Sequence, residues 1–320
     1  MRSRHPEDLL AAACAGDRGA TGRLISLVER GGSPARAVGR LTFRRGRDIE
    51  RVIGVTGAPG SGKSTLTDRL ITRARAGGGS LGILAIDPSS PFSGGAILGD
   101  RVRMQGHALD DEVFIRSMAT RGHLGGLALA APEAVRVLGA VGLPLVIVET
   151  VGVGQVEVDV AGAADTTVVV VNPGWGDAIQ ANKAGLLEIA DVFVINKADR
   201  PGAAETRRDL DNMLDMNAEM GEWRPPILMT SAVEGEGIDE LWDALSEHLR
   251  YLQRSGELEA GRQRRLIAEL REIVVRRLER DVHALAAGQR WETVSAEVLS
   301  GGLDPYGAAD RLLEDLGIVG

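Results

Sequence analysis

The residues that most clearly have the types and spacing for chemistry form a glycine-rich run. The run matches the pattern G-x-x-x-x-G-K-[ST] and consists of Gly57, Ala58, Pro59, Gly60, Ser61, Gly62, Lys63, Ser64 and Thr65. Glycines let a backbone curve until its N–H groups point at phosphate oxygens, and a following helix adds its positive end. We expect Lys63 to bridge the β- and γ-phosphates of a nucleotide and the Ser64 hydroxyl to bind magnesium.

A second motif, Asn196-Lys197-Ala198-Asp199, follows an apolar run. The Asp199 carboxylate can accept both the N1–H and the N2 amino protons of guanine, whereas adenine offers no such donor pair. An unpaired buried carboxylate costs at least about 1–3 kcal/mol, which disfavours ATP. We expect Lys197 to pack its stem over the base, and Ser231 and Ala232 to place a backbone N–H near the guanine oxygen. Behind a phosphate loop, this order predicts GTP and GDP as ligands.

Three carboxylates near predicted strand ends could complete a catalytic site with Lys63. They are Asp87, Asp100 and Glu149, and each could hold magnesium directly or through water. Helix capping is the alternative for Asp100, which precedes a helical stretch. Glu149 and Gly152 are spaced as in the γ-phosphate-sensing switch of other GTPases, so we include Gly152 among the catalytic positions.

The residue after Gly152 is Val153, where Ras-like enzymes carry the glutamine that orients the attacking water. This predicts slow intrinsic hydrolysis and a site that a partner or another residue completes. Gln155 is a candidate substitute. A nucleotide-binding module without turnover is the alternative.

These motifs require a sheet that brings strand ends together. Short β-rich runs alternate with longer helical ones from Val52 onward, which predicts an α/β fold of the P-loop NTPase class, with a mostly parallel sheet covered by helices. The predicted strands are Val52–Thr56, Leu81–Asp87, Val113–Ser117, Leu145–Thr150, Thr166–Asn172, Val192–Asn196 and Ile227–Thr230. We predict a helical N-terminal extension over 1–50, the nucleotide-binding domain over 51–253 and a helical C-terminal extension over 254–320.

The C-terminal extension carries an apolar stripe at helical spacing among many arginines. Its members are Leu266, Leu270, Ile273, Val274, Leu278, Val282 and Leu285. Such a stripe either packs on the chain's own core or serves as a dimerisation arm, and the sequence supports the two interpretations equally.

Composition narrows the classes of partner. The chain of 320 residues has a formal net charge of -8, and its only cysteine is Cys14. A negative field repels phosphate backbones and anionic lipids, so we expect neither nucleic acid nor a membrane surface as a partner. A single cysteine excludes an internal disulfide and a cysteine-based zinc site, and it fits a cytoplasmic location.

Taken together, the motifs resemble one family closely: the methylmalonyl-CoA mutase-associated GTPases, also known as ArgK-like G proteins. The resemblance runs from about Leu9 to Leu252 and rests on the segments 56–65, 85–90, 94–101, 149–155 and 196–199. It implies a homodimeric GTPase chaperone that uses magnesium, gates adenosylcobalamin delivery to a cobalamin-dependent acyl-CoA mutase and protects that mutase from inactivation. It also implies a mobile coupling segment at 173–183, in which Asp177, Gln180 and Lys183 are the candidate coupling residues.

Two other classes share features with this sequence. A GTPase metallochaperone of the urease or hydrogenase type would need clusters of cysteine or histidine, which the sequence lacks. A transport-associated ATPase or kinase would need adenine recognition, against which Asp199 argues.

Overall fold

The computed structural model describes residues 5–47, 49–87, 105–107, 109–119, 126–150, 162–174, 188–216, 221–286 and 288–314. The strands are β1 (Arg51–Gly57), β2 (Leu81–Asp87), β3 (Val113–Ala119), β4 (Leu145–Thr150), β5 (Thr166–Val171), β6 (Val192–Asn196) and β7 (Ile227–Thr230). The helices are α1 (Pro6–Cys14), α2 (Arg18–Arg30), α3 (Gly32–Thr42), α4 (Lys63–Ala76), α5 (Gly126–Ala140), α6 (Ala203–Met216), α7 (Ile238–Ser255), α8 (Glu257–Ala286), α9 (Gln289–Leu299) and α10 (Pro305–Glu314), with short 3-10 turns at Arg45–Arg47 and Gln105–His107.

The seven strands form one sheet in the order β3-β2-β4-β1-β5-β6-β7, and every neighbouring pair is parallel. The predicted α/β fold is therefore confirmed, with differences of one or two residues at the ends of β1, β3 and β5. Parallel strands need crossover connections, which place helices on both faces of the sheet. Because β1 lies between β4 and β5, the carboxyl ends of these central strands meet at one edge, where ligands of open α/β sheets bind.

Helices cover both faces of the sheet with apolar side chains. Residues of α1, α2, α3 and α5 form one core cluster with β2 and β4, in which Leu24, Ile25 and Val146 are fully buried. Residues of α4 and α7, among them Leu66, share the second cluster with β1, β5 and β6. A third cluster joins α6 to β5, β6 and β7. The helices of the predicted N-terminal extension thus contribute to the core of the sheet.

A charged group lies at the amino ends of β1 and β5, at the sheet edge opposite the motifs. The buried Asp165 carboxylate accepts a hydrogen bond from the Val52 amide at 3.0 Å. It also pairs with Arg262 at 2.7 Å and with Arg265 at 2.5 Å. Two arginines and a backbone amide compensate the desolvation of this carboxylate. The first turns of α8 are thereby joined to the sheet.

The chain divides into two compact units, Met1–Arg265 and Leu266–Gly320, so the division falls within α8. The second unit has its own small cluster, made of Val294, Ala308 and Leu312 with partly buried leucines and a valine around them. Among the residues that the structure describes, no helix is both long and apolar enough to cross a bilayer.

Candidate nucleotide-binding site

The glycine-rich run forms a loop between β1 and α4. Gly57 is the last residue of β1, and Gly62 precedes α4 with a φ of 91°. A Cβ atom on Gly57 would lie 2.1 Å from the Val170 carbonyl oxygen, and one on Gly62 would lie 2.3 Å from the side-chain nitrogen Nδ2 of Asn196. Larger residues would therefore push β5 and the second motif away from the loop, which explains the glycines at both ends.

Lys63 curls back over this loop. Its Nζ donates hydrogen bonds to the Gly57 carbonyl at 2.7 Å and to the Ala58 carbonyl at 2.9 Å, and the residue is only 6% exposed. Pro59 and Gly60, at the loop's outer side, are exposed. The ammonium group thus lies inside the curve of the loop, on the side where backbone N–H groups bind phosphate in such loops.

Two of the residues expected to bind magnesium contact each other. The Ser64 hydroxyl donates to Glu149 Oε1 at 2.6 Å, and both side chains are buried. Next to them, the Thr150 hydroxyl donates to the Thr56 hydroxyl at 3.1 Å, which joins the ends of β4 and β1. A hydroxyl beside a carboxylate is an all-oxygen donor set, which fits the hard ion Mg²⁺.

Asn196 connects the two motifs, a role that its position in the sequence did not reveal. Its Nδ2 donates to the Ser61 carbonyl at 2.7 Å, and its Oδ1 accepts from the Ala232 amide and the Thr230 hydroxyl, both at 3.1 Å. The side chain is 2% exposed. One buried amide therefore fixes the distance between the phosphate loop and the loop after β7.

The remaining residues of the second motif face the same space. Asp199 Oδ1 accepts a hydrogen bond from the Ser231 hydroxyl at 3.1 Å. Lys197 has a backbone φ of 61°, a value that residues other than glycine rarely adopt. Its Nζ donates to the Gly60 carbonyl at 2.6 Å. The strained backbone aims the Lys197 side chain across the gap toward the phosphate loop.

Two further residues at this site were missed by sequence reasoning. Arg69 on α4 contacts the loop after β7, and Asn172, directly after β5, donates from Nδ2 to the Gly60 carbonyl at 3.4 Å. Arg69 belongs to no motif. The position of Asn172 at the carboxyl end of a central strand was the only available signal.

Several predicted positions lie outside the described residues. These are Asp100, Gly152, Val153 and Gln155, together with Asp177, Gln180 and Lys183 of the coupling segment. Asp87 is the last residue of β2, as expected, but its side chain is outside the described part. Thr65 follows Ser64 in the first turn of α4.

Comparison with known proteins gives consistent matches. The family model described as "Methylmalonyl Co-A mutase-associated GTPase MeaB" matches residues 21–287. A Pyrococcus abyssi protein, provisionally named as a GTPase, is 48% identical over 97% of this chain and 96% of its own length. GTPase ArgK of Escherichia coli is 41% identical over 68% of this chain and 67% of its own length.

Two more similarities span nearly the whole chain. The mouse protein named methylmalonic aciduria type A homolog, mitochondrial, is 33% identical over 97% of this chain and 79% of its own length. A crystal structure titled as a LAO/AO transport system kinase superposes with a TM-score of 0.71 at 27% identity and covers 99% of both chains.

Proposed function

This chain belongs to the methylmalonyl-CoA mutase-associated GTPase MeaB family, and we propose that its GTPase cycle gates adenosylcobalamin loading of a cobalamin-dependent acyl-CoA mutase and protects that mutase. Membership makes the protein a GTPase that binds guanine nucleotides. The observation that best supports the assignment of residues is the Asn196 side chain, because it joins the phosphate loop to the loop after β7 at a fixed spacing.

For the phosphate end, we propose that the amides of residues 57–65 surround the phosphates and that Lys63 bridges the β- and γ-phosphates. Support comes from the Lys63 Nζ contacts with the Gly57 and Ala58 carbonyls, which place the ammonium group at the loop. The flexible lysine stem allows the ammonium group to reach phosphate oxygens there.

For the metal, we propose that Ser64 and Glu149 hold magnesium. Support comes from the buried Ser64–Glu149 contact at 2.6 Å, which places two oxygen ligands together. A bound magnesium ion would neutralise charge on the β- and γ-phosphate oxygens. On sequence grounds we also propose Asp87 and Asp100 as further metal carboxylates and Gly152 as a catalytic position.

For the base, we propose that Asp199 reads the N1–H and N2 amino protons of guanine. We also propose that the Ala232 N–H, which donates to Asn196 Oδ1 at 3.1 Å, is shared between that oxygen and the guanine oxygen or exchanges one for the other. The Ser231 hydroxyl donates to Asp199 Oδ1 and so limits the orientations of this carboxylate. Lys197, held in a left-handed conformation, spans the gap where the base and ribose would lie.

The proposed partner, an acyl-CoA mutase, follows from the family name, and the residues proposed to couple to it follow from this chain's sequence. The family name associates its members with methylmalonyl-CoA mutase, and we propose that Asp177, Gln180 and Lys183 couple nucleotide state to a mutase of that class. A cytoplasmic setting belongs to the same proposal, because Cys14 has no second cysteine in the chain with which to form a disulfide.

We further propose a homodimer formed through α8. None of the residues in this 30-residue helix is buried, although its apolar residues recur at helical spacing. The exposed apolar members are Ile267, Leu270, Val274, Val275, Leu278 and Val282. A second copy of the same face would remove this surface from water, which supports the dimerisation interpretation.

A capture experiment with a purified cobalamin-dependent acyl-CoA mutase tests the partner. We expect the mutase to be retained when the protein carries a non-hydrolysable GTP analogue, to be retained differently with GDP, and to accelerate GTP turnover. The Lys63→Ala variant is the matched control, since it should lose the nucleotide dependence. Equal retention in all nucleotide states, with no change in turnover, would contradict the gating proposal.

A further inference from the structure

Arg69 joins the phosphate-binding helix to the loop that follows β7. Its Nε donates to the Ala232 carbonyl at 2.8 Å, and its Nη2 donates to the Val233 carbonyl at 2.5 Å. One planar guanidinium that binds two successive carbonyls restrains the two peptide planes on either side of the Val233 Cα. The arginine therefore controls the orientation of the loop and not only its distance from α4.

The position of Arg69 is itself fixed by the packing of α4. Its neighbours Leu66 and Leu70 are fully buried in the core beneath the sheet. Along the helix, Arg69 lies less than two turns from Lys63, or about 9 Å at 1.5 Å per residue. The same rigid helix thus presents the phosphate-binding end and the Arg69 guanidinium at a set separation.

The loop is held from other directions as well. The Ala232 amide donates to Asn196 Oδ1 on β6, and the Ser231 amide donates to the Glu236 carbonyl across a short bridge. The Ala232 side chain is 2% exposed and belongs to the core cluster. Among the hydrogen bonds named here to the loop after β7, those from Arg69 come from the helix that begins at the phosphate loop.

We infer that Arg69 is a positioning residue for base selection: through the Ala232 and Val233 carbonyls it holds the loop after β7 at the distance from the phosphate loop that a bound guanine ring requires. This inference rests on the proposed base-reading roles of Asp199 and Ala232. Its consequence is specific: loss of Arg69 reduces the preference for guanine over adenine, because the restraint acts on the base-reading loop and leaves the phosphate loop in place.

Four variants separate this role from a general contribution to stability. Arg69→Met keeps an unbranched stem but removes both donated hydrogen bonds. Arg69→Lys keeps a positive charge and a single donating nitrogen in place of the two that bind the carbonyls. Arg73→Met is the matched control, because Arg73 lies one turn further along α4 and pairs with the exposed Asp239 instead. Asp199→Asn reports on base reading itself.

The measurement is the affinity for GDP and for ADP, by competition with a fluorescent guanine nucleotide, together with the Tm without nucleotide. We expect Arg69→Met to lower the GDP-to-ADP affinity ratio by up to about tenfold, because displacement of the loop after β7 weakens the hydrogen bonds that read guanine. Arg69→Lys should fall between this variant and the parent, and Arg73→Met should keep the parent's ratio.

An unchanged ratio in Arg69→Met, or equal losses of GDP and ADP affinity that follow the Tm, would overturn the inference. If Asp199→Asn lowers the ratio while Arg69→Met does not, the inference about Arg69 fails and the proposed guanine site stands. If Asp199→Asn keeps the parent's ratio, the proposed guanine site fails first, and the positioning role with it.

Discussion

At the scale of single residues, the candidate site consists of side chains that contact each other across different elements. Ser64 of α4 donates to Glu149 of β4, and Ser231 after β7 donates to Asp199 after β6. Hydrogen bonds to charged groups contribute about 1.5–3 kcal/mol, so each pair restrains its carboxylate before any ligand binds. Substitution of Glu149 or Asp199 therefore tests the two ends of the site separately.

Replacing Glu149 with Gln removes one negative charge at nearly constant volume. We expect the magnesium concentration for half-maximal GTP turnover to rise about 10–100-fold, the range seen when groups supporting a metal site are removed. GDP affinity measured in EDTA should change little. Thr150→Val is the neighbouring control, since it removes only a hydroxyl contact to Thr56. Equal losses of metal-dependent turnover and metal-free GDP binding would point to a folding defect.

Replacing Asp199 with Asn changes one carboxylate oxygen into an amide donor that faces the guanine N2 amino group. Xanthine carries a carbonyl acceptor there, so we expect the preference to shift from GTP toward xanthosine triphosphate by at least about tenfold. Affinities for both nucleotides give the readout. Ser231→Ala, which removes only the hydroxyl that restrains Asp199, should weaken GTP binding without favouring xanthine. Unchanged GTP affinity in Asp199→Asn would remove the base-reading assignment.

At the scale of elements, polar contacts at the amino edge of the sheet also join helices to strands. There, His248 of α7 is 2% exposed and its Nδ1 lies 2.9 Å from the Thr166 hydroxyl of β5. Its Nε2 lies 3.4 Å from Asp191 Oδ1, and Asp191 Oδ2 accepts from the Thr167 amide. These contacts fix α7 against β5 and the start of β6.

Burial sets the charge states of this pair. It raises the pKa of Asp191 to about 7, against the opposing effects of the Thr167 amide and Arg265. Burial and the nearby Arg51 lower the pKa of His248 to about 4. The nearby Asp165 carboxylate raises the pKa of both Asp191 and His248 through its charge. The folded protein therefore holds both side chains neutral between these values.

The two groups predict opposite slopes of stability against pH. The Asp191 contribution is present below its ordinary pKa of 3.8 and is lost as pH rises through about 7. The His248 contribution is present above 6.5 and is lost as pH falls through about 4. Between pH 4 and pH 6.5 the falling stability contribution of Asp191 and the rising contribution of His248 offset each other in the parent protein.

Single variants should expose each slope. Asp191→Asn leaves His248, so its free energy of unfolding should rise relative to the parent's as pH increases from 4 to 6.5. His248→Gln leaves Asp191, so its relative stability should fall over the same interval. Urea unfolding at several pH values measures both. Parallel curves for the parent and the two variants would show that the pair titrates as in the unfolded chain.

At the scale of the whole molecule, the chain combines a buried sheet with a long exposed helix. The strands β5 and β6 are buried along their whole lengths, whereas α8 has no buried residue. The apolar face of α8 is the feature from which we propose self-association.

The variant with Leu270→Glu and Val274→Glu tests that face. Two like charges brought against their copies would oppose association, so we expect the mass in light scattering to fall from twice the chain mass to the chain mass of 33.8 kDa. Leu299→Glu is the control, since Leu299 is 89% exposed at the end of α9, outside α8. A parent protein that is already monomeric would remove the dimer proposal.

The sequence by itself determined the fold class, the strands and the identity of both motifs. Apolar runs such as Thr166–Val171 and Val192–Asn196 predict strands buried on both faces, because a parallel sheet is covered by helices on each side. The glycine pattern and the Asn196–Asp199 motif are local in sequence, and their chemistry follows from residue types at fixed spacing. The family resemblance rests on five segments that include both motifs, and family membership is confirmed.

Only the tertiary structure revealed the contacts between residues far apart in the chain. Asn196 as the link to Ser61, Arg69 on the Ala232 and Val233 carbonyls, and the pairing of Asp165 with Arg262 and Arg265 have no local pattern. The same holds for the exposure of α8, which the apolar stripe alone does not reveal. Periodicity records which face of an element is apolar, whereas the strand order and the packing of helices decide what that face meets.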